Sequence, residues 1–390
     1  MISFDNTEIA FKGKSSKDLK KARWLFKMVS SPRMVKFGKW ATNVALTLRL
    51  PINGIIKKTI FHQFCGGVSI QDSLKASNHL ASRNVKTILD YSIEGKTSEE
   101  DFDKTVAEII GTIHEAKKNE NIPFAVFKVT GICLFEILEK ANESDEGLSE
   151  ADQVRYDKLK ERLNQICNKA FTNDVPLFID AEETWIQNTI DRLVLEMSRK
   201  YNGKRAIIYN TVQLYRHDRL AFMEKEIELA RKEGWFIGLK MVRGAYMEKE
   251  RERAEEHGYP SPIQPNKEAS DKDFNAALEL SVKNLDVLSF CSGTHNEESS
   301  QLLANLLEEN NISKDDPRVY FAQLLGMSDH ISFNLANNGF QVAKYVPYGP
   351  IKEVLPYLIR RAEENTSVAG QTGRELSLIV KEIQRRKQKN

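Results

Sequence analysis

The chain has 390 residues, a mass of 44.6 kDa and a formal net charge of +2 at pH 7, with 41% apolar and 29% charged residues. This nearly neutral balance excludes a strongly basic nucleic-acid binder. No uninterrupted run of about 18 apolar residues occurs, so the sequence predicts no membrane-spanning helix. The four cysteines are far apart and form no CxxC pattern, which predicts free thiols in a reducing compartment.

Residues 1–84 predict a helical arm, because they lack the alternation of β-strands and carry no secretory signal. Within residues 34–64 stand five basic residues and no acidic one, interleaved with apolar side chains. Two interpretations remain open. The segment either contacts an anionic membrane surface, or it packs on the main domain with a solvated basic edge.

From residue 85 onward, short apolar runs rich in β-branched residues alternate with helix-like segments. Buried parallel strands with crossover helices produce this pattern, so we predict an α/β fold of the (βα)8 TIM-barrel type. A doubly wound sheet is the alternative. The predicted strands are residues 85–92, 124–130, 177–182, 206–213, 236–243, 287–294, 318–325 and 341–346.

Three further segments complete the predicted domain layout around a barrel domain of residues 85–370. Residues 139–168 are a charged helical insertion, and residues 247–268 end in a Pro-rich stretch that suits a lid over a ligand. Residues 371–390 are a basic tail that we expect to fray.

Polar or charged residues close almost every predicted strand, which core packing alone does not explain. In a (βα)8 barrel, the active site lies at the carboxyl ends of the strands. These residues therefore predict a site there: Glu94, Lys128, Asp180, Gln213, Lys240, Arg243, Tyr246, Thr294, His295 and Tyr345.

The segment PYLIRRAEENTS predicts a helix on which Tyr357, Arg360, Arg361 and Glu364 share one face. Two adjacent guanidiniums repel each other, whereas together they can hold a carboxylate in a bidentate manner. With the cations at the strand ends, they indicate an anionic substrate, an anionic cofactor or both.

Several common catalytic motifs are missing. Gly13-Lys14-Ser15 matches the end of a phosphate-binding loop, but Glu8 stands where its first glycine would be, and no GxGxxG, HExxH or GxSxG occurs. The sequence therefore predicts no dinucleotide-binding motif of that kind, no metal site and no usual hydrolase nucleophile.

The segments FKVTG, FIDAEETWIQ, NTVQLYR, LKMVRGAY, GTHN, FAQLLGM, KYVPYG and YLIRRAEEN, in this order, resemble the proline dehydrogenase family of flavoenzymes. The resemblance covers residues 88–367 and is closer to the monofunctional, mitochondrial-type branch than to the bifunctional bacterial enzymes. It implies that the barrel is distorted, with an N-terminal helical arm and a final helix that caps the barrel.

The resemblance also implies an activity. FAD would bind non-covalently, L-proline would be oxidised to Δ1-pyrroline-5-carboxylate by hydride transfer from C5 to flavin N5, and the electrons would pass to a membrane quinone. Since the chain starts at Met1 without a transit-like segment, we expect a bacterial, cytoplasmic protein that is peripheral on the inner membrane. The alternative is the matrix side of the mitochondrial inner membrane.

Site residues follow from the matching positions. The catalytic residues implied are Asp180, Lys240 and Tyr345. The substrate contacts implied are Lys128, Tyr246, Leu324, Tyr345, Tyr357, Arg360 and Arg361, with Glu94 as a gate and Glu364 orienting the arginines. The flavin contacts implied are Ala181, Gln213, Lys240, Arg243, Gly244, Ala245, Thr294, His295 and Asn296.

Three alternatives remain at this stage. A hydroxyproline dehydrogenase of the same family is disfavoured by the bulk of Tyr345, since related hydroxyproline enzymes have a smaller residue there. A barrel aldolase or isomerase would use Lys128 or Lys240 as a Schiff-base lysine for a phosphate-bearing ligand. A catalytically inactive, membrane-associated binding protein is disfavoured by the intact Arg360-Arg361 pair.

Overall fold

A computed structural model of the chain describes residues 2–31, 33–34, 36, 38, 53–92, 96–143, 147–367 and 371–389. Glu94 and most of residues 34–52, the first part of the basic segment 34–64, lie outside the described residues. The side chain of Glu364 does so as well. The chain divides into two compact units, residues 1–94 with 323–390, and residues 95–322. The domain boundaries expected from the sequence remain a prediction.

Eight parallel strands among the described residues close into a barrel in the order β1 to β8, which confirms the predicted fold class. Each strand lies within two residues of its predicted limits, because apolar β-branched runs favour buried parallel strands. The strands are β1 (Lys86–Tyr91), β2 (Phe124–Lys128), β3 (Leu177–Asp180), β4 (Ile208–Gln213), β5 (Ile237–Val242), β6 (Leu288–Gly293), β7 (Val319–Leu324) and β8 (Val342–Tyr348).

In the unit of residues 95–322, helices follow the strands as crossovers. The predicted insertion 139–168 forms parts of the helices Phe135–Lys140 and Glu150–Asn173, and the predicted lid begins as the helix Met247–His257. Ser98 and Ser149 accept hydrogen bonds as N-caps from the first turns of the helices that follow them. The helices are α6 (Glu99–Lys118), α7 (Phe135–Lys140), α8 (Glu150–Asn173), α9 (Thr184–Tyr201), α10 (Arg219–Glu233), α11 (Met247–His257), α12 (Lys267–Lys283) and α13 (Glu297–Glu309).

The other unit contains the N-terminal helices and the last helices of the chain. Ser15 and Asp18 form a capping box at the start of the helix Ser16–Val29. The helices are α1 (Thr7–Phe11), α2 (Ser16–Val29), α3 (Asn53–Ile56), a π-helical turn (Lys57–Phe61), α4 (His62–Phe64), α5 (Ile70–Ala81), α14 (Asp329–Asn337), α15 (Ile351–Ser367) and α16 (Gln371–Lys389).

The expectation that the basic C-terminal tail frays is wrong. It forms the helix α16, whose Leu378 and Ile379 are buried in one apolar cluster with Leu19 and Phe26 of α2. Arg386 donates hydrogen bonds to the backbone oxygens of Phe11 (2.9 Å) and Lys14 (2.7 Å), at the end of α1. The burial of this apolar stripe, and not helix propensity alone, stabilises the helix.

Candidate functional site

A cluster of charged side chains stands at the ends of three strands in the unit of residues 95–322. Lys128 and Asp180 are the last residues of β2 and β3 and are partners in the parallel register. The ammonium of Lys240, on β5, forms an ion pair with Asp180 and lies 5.8 Å from the centre of the Phe178 ring. Only 5% of Lys240 is exposed, and a buried ammonium requires such a counter-ion.

Tyr246 joins this cluster through Lys128. The Lys128 Nζ donates a hydrogen bond of 3.3 Å to the Tyr246 hydroxyl. Tyr246 immediately precedes α11, and this helix is held firmly: Glu250 accepts hydrogen bonds from the backbone N–H (2.7 Å) and the hydroxyl (2.6 Å) of Thr184. The structure thus brings together four predicted site residues, Lys128, Asp180, Lys240 and Tyr246.

The rest of the predicted lid is also fixed by hydrogen bonds. The backbone N–H of His217 donates to the oxygen of Pro262 (3.1 Å), and the N–H of Gln264 donates to the oxygen of Tyr215 (2.7 Å). The Pro-rich segment therefore pairs with the loop that follows β4.

Arg243 is the centre of a second polar group, which contains other predicted flavin contacts. Its guanidinium pairs with Asp271 (2.6 Å) and donates to the hydroxyls of Thr294 (2.6 Å) and Ser299 (3.0 Å). Burial lowers the pKa of Arg243, although Asp271 opposes the shift. Asn296 caps α13 by accepting from the N–H of Ser299.

Gly244, next to Arg243, has a φ of +142°, and a Cβ there would lie 2.5 Å from the ring of Tyr215. Only glycine fits this position without displacing the ring. The neighbouring predicted contacts differ in burial: Ala181 is buried, His295 is half-buried and Ala245 is exposed.

The buried polar atoms of this unit that have no hydrogen-bond partner among the described residues include Gln213 Oε1, Ser292 Oγ and Arg216 Nη1. Buried polar atoms usually have partners, so these atoms point to a bound group. An acceptor, a hydroxyl and a cation suit a flavin nucleotide, with its ring N–H and its phosphates. The residues therefore fit the cofactor that the sequence implies. Sequence reasoning missed Ser292 and Arg216, although each lies within a few residues of a predicted contact.

In the unit of residues 1–94 and 323–390, helix α15 carries three of the seven predicted substrate contacts. Tyr357 is buried in the apolar cluster, against which Leu324 packs. The guanidinium carbon of Arg361 lies 5.3 Å from the centre of the Tyr357 ring. Arg360 is half-buried on the same helix, and Tyr345 is buried on β8.

This unit also contains a buried ion cluster that sequence reasoning missed. Asp329 pairs with Lys344 (2.9 Å) and with Lys14 (2.7 Å). Burial alone would raise the pKa of Asp329, but the two ammonium groups hold it well below its usual range. Glu375 accepts from the N–H of Ser328 (3.1 Å), and burial raises the pKa of this carboxyl. No local pattern in the sequence signals this cluster.

The fold and sequence both have known relatives. The Proline dehydrogenase family profile matches residues 73–374. Human proline dehydrogenase 1, mitochondrial, is 42% identical over 241 residues, covering 61% of this chain and 40% of the human protein. The hydroxyproline dehydrogenase of Xenopus laevis is 29% identical, covering 99% of this chain and 90% of that protein.

Among solved structures, proline utilization A (PutA) from Bdellovibrio bacteriovorus, inactivated by N-propargylglycine, superposes with a TM-score of 0.73 at 19% identity. The match covers 94% of this chain and 38% of the PutA chain. The chain thus spans less than half of the human relative and of the PutA chain, and the PutA match establishes the fold alone. Because the family profile covers most of the sequence, the chain belongs to the proline dehydrogenase family, a family of flavoenzymes.

Proposed function

We propose that the protein is an FAD-dependent L-proline dehydrogenase that produces Δ1-pyrroline-5-carboxylate and delivers electrons to a membrane quinone. When bound, FAD would supply at N5 the acceptor for the hydride of proline C5. The observation that carries the proposal is the buried Lys240–Asp180 pair beside Lys128 and Tyr246, in a chain of this family. The catalytic residues we propose are Asp180, Lys240 and Tyr345.

In this proposal, Arg360, Arg361 and Lys128 bind the carboxylate of proline. Paired guanidiniums orient a carboxylate better than single ammonium groups. Hydride transfer depends mainly on such orientation. The cations also favour the neutral form of the substrate amine through like-charge repulsion, and only the neutral amine can release a hydride readily. Glu364 orients the arginines, and Glu94 acts as a gate.

The walls of the substrate pocket and the flavin contacts are assigned in the same way. The pyrrolidine ring packs against Tyr246, Leu324, Tyr345 and Tyr357. The cations at this site would stabilise negative charge on a reduced flavin. The proposed flavin contacts are Ala181, Gln213, Lys240, Arg243, Gly244, Ala245, Thr294, His295 and Asn296.

An anaerobic absorption spectrum, recorded before and after addition of L-proline, tests the proposal. We expect the visible band of oxidised flavin and its bleaching by L-proline, with D-proline as a control for carboxylate orientation. A flavin band that persists with L-proline would contradict the substrate. A colourless protein that does not bind added FAD, but is trapped with a ligand by borohydride, would favour the lysine-centred aldolase instead.

For the substrate, we propose proline over 4-hydroxyproline, although a hydroxyproline dehydrogenase is among the relatives. Tyr345 is buried, at 8% exposure, and its ring is bulkier than the smaller residue expected in hydroxyproline enzymes, which disfavours a ring hydroxyl. Tyr345→Ser should raise the ratio of kcat/KM for hydroxyproline to that for proline about tenfold. Comparable kcat/KM values for both substrates in the wild type would contradict this assignment.

We also propose a peripheral membrane contact through α2 and the basic segment 34–64. Among the described residues, no helix is both long and apolar enough to cross a bilayer. Trp24 is 53% exposed on α2. The exposed face around it is basic, a composition that suits an anionic lipid surface. Its other exposed residues include Lys17, Lys20, Lys21, Arg23 and Lys27.

Co-sedimentation with vesicles tests this contact. The variant Lys20→Glu/Lys21→Glu should lose binding to vesicles that contain phosphatidylserine, and Lys57→Glu/Lys58→Glu should weaken it. The matched reversal Lys232→Glu/Lys283→Glu, on other helices, is the control. Binding that is unaffected by all three reversals would contradict the proposal.

Since the human relative is named as mitochondrial, the matrix side of the inner membrane is proposed alongside the bacterial location.

A further inference from the structure

Glu182, two residues after Asp180, is a buried carboxyl group that has no role in the function proposed above. It is 3% exposed. One carboxyl oxygen accepts from the backbone N–H of Thr130 (3.1 Å) and the other from its hydroxyl (2.5 Å). Thr130 is the middle residue of the 3₁₀ turn Val129–Gly131, which follows Lys128 directly. Glu182 therefore ties the loop after β3 to the turn after β2.

The backbone at Glu182 is fixed as well. Its N–H donates a hydrogen bond of 2.8 Å to Oε1 of Gln187, in the first turns of α9. Both the side chain and the main chain of this residue are thus held. A group held in this way can position a neighbouring functional side chain.

The charges near Glu182 connect it to Lys128 electrostatically. Burial raises the pKa of Glu182 to about 7, the ammonium of Lys128 on β2 opposes the shift, and Glu183 in the same loop adds to it. Gln187 and Thr130, which also contact the carboxyl or its backbone, are neutral. Near neutral pH, the charge on Glu182 can therefore change.

We propose that Glu182 is a positioning residue for Lys128, because it holds the turn after β2 so that the ammonium remains directed at a substrate carboxylate. The inference rests on the proposed function, in which Lys128 binds the carboxylate of L-proline. When Glu182 ionises, its negative charge reduces the attraction of Lys128 for that carboxylate. The KM for L-proline should therefore rise as the pH increases through about 7.

Steady-state kinetics with L-proline and a soluble electron acceptor, on both sides of neutral pH, test the inference. Glu182→Ala loses both hydrogen bonds to Thr130, so we expect KM to rise about tenfold while kcat stays within about twofold. Glu182→Gln can keep the bond from the Thr130 N–H, so its KM should remain near the wild-type value below neutral pH. It should also lack the rise in KM above neutral pH. Because the amine of proline titrates in both proteins, their difference isolates Glu182.

Glu226→Gln is the matched control. Burial also raises the pKa of Glu226 to about 7, but its charged neighbours are Asp191, Arg199, Glu233 and Arg219. We expect this variant to keep the wild-type KM and its pH dependence. If Glu182→Ala does not fold, the variants Thr130→Val and Glu182→Gln replace it in the same kinetic measurements.

An unchanged KM in Glu182→Ala, or a wild-type rise of KM with pH in Glu182→Gln, would overturn the inference. Both results require a wild type that oxidises L-proline. A wild type that does not do so would instead contradict the proposed function.

Discussion

Each of the two units contains a buried lysine–aspartate pair, and we infer different roles for the two pairs from their surroundings. Lys240 pairs with Asp180, whose side chain retains 16% exposure. Lys344 pairs with Asp329, whose side chain retains 6% exposure. Asp329 also pairs with Lys14.

The surroundings of Lys344 show the difference most clearly. Its Nζ lies 2.9 Å from Asp329, 2.6 Å from the backbone oxygen of Met327 and 3.3 Å from that of Leu324. An ammonium has three N–H groups, so these acceptors saturate it. Lys240 pairs with Asp180, whose register partner on β2 is Lys128. We interpret the Lys344 pair as structural and the Lys240 pair as functional.

The largest effect that would test this distinction is on stability. Asp329→Asn leaves Lys344 buried without its counter-ion, so the free energy of unfolding should fall by about 3–5 kcal/mol. Urea unfolding measures it. The control is Asp286→Asn in the exposed pair with Arg231, which should lose less than about 1 kcal/mol. Similar losses in both variants would contradict a structural role for the buried pair.

The matching change in the other pair should act mainly on activity. Asp180→Asn removes the counter-ion of Lys240 at the proposed flavin site. We expect kcat/KM for L-proline to fall about 100-fold, which corresponds to about 2.7 kcal/mol, with a smaller loss of stability than in Asp329→Asn. Stopped-flow reduction of the flavin measures the effect. Retained activity with an equally large loss of stability would make both pairs structural.

Much of the barrel and part of the site could be predicted from the sequence because their signals are local. The run FIGLKMVR predicted a strand at residues 236–243, and β5 spans Ile237–Val242. The positions of the strand ends also indicated that Lys240 and Asp180 would stand at a site, and the structure pairs the two side chains.

The Lys344 cluster could not be predicted, because its partners are distant in the sequence. Lys14 is more than 300 residues from Lys344, and the acceptor of Met327 is a backbone oxygen that carries no sequence signal. The basic charge of residues 371–390 likewise led to a wrong prediction, that this segment frays. Leu378, Ile379 and Glu382 face inward at helical spacing, and this spacing was the signal for a docked helix.

A final pair of substitutions compares the space around the two lysines. Lys240→Arg should keep kcat/KM within about tenfold, because a guanidinium can still pair with Asp180. Lys344→Arg should lose about 1–3 kcal/mol of stability, since it inserts extra atoms into a fully buried position.

Thermal unfolding and flavin reduction on both variants measure this difference. The guanidinium also has five N–H donors where the structure offers Lys344 three acceptors, so two donors would remain buried without partners. The loss expected in Lys344→Arg therefore depends on hydrogen-bond saturation and not on charge, which the substitution preserves. If Lys344→Arg were as stable as the wild type, the saturation of Lys344 would not support a structural role for its pair with Asp329.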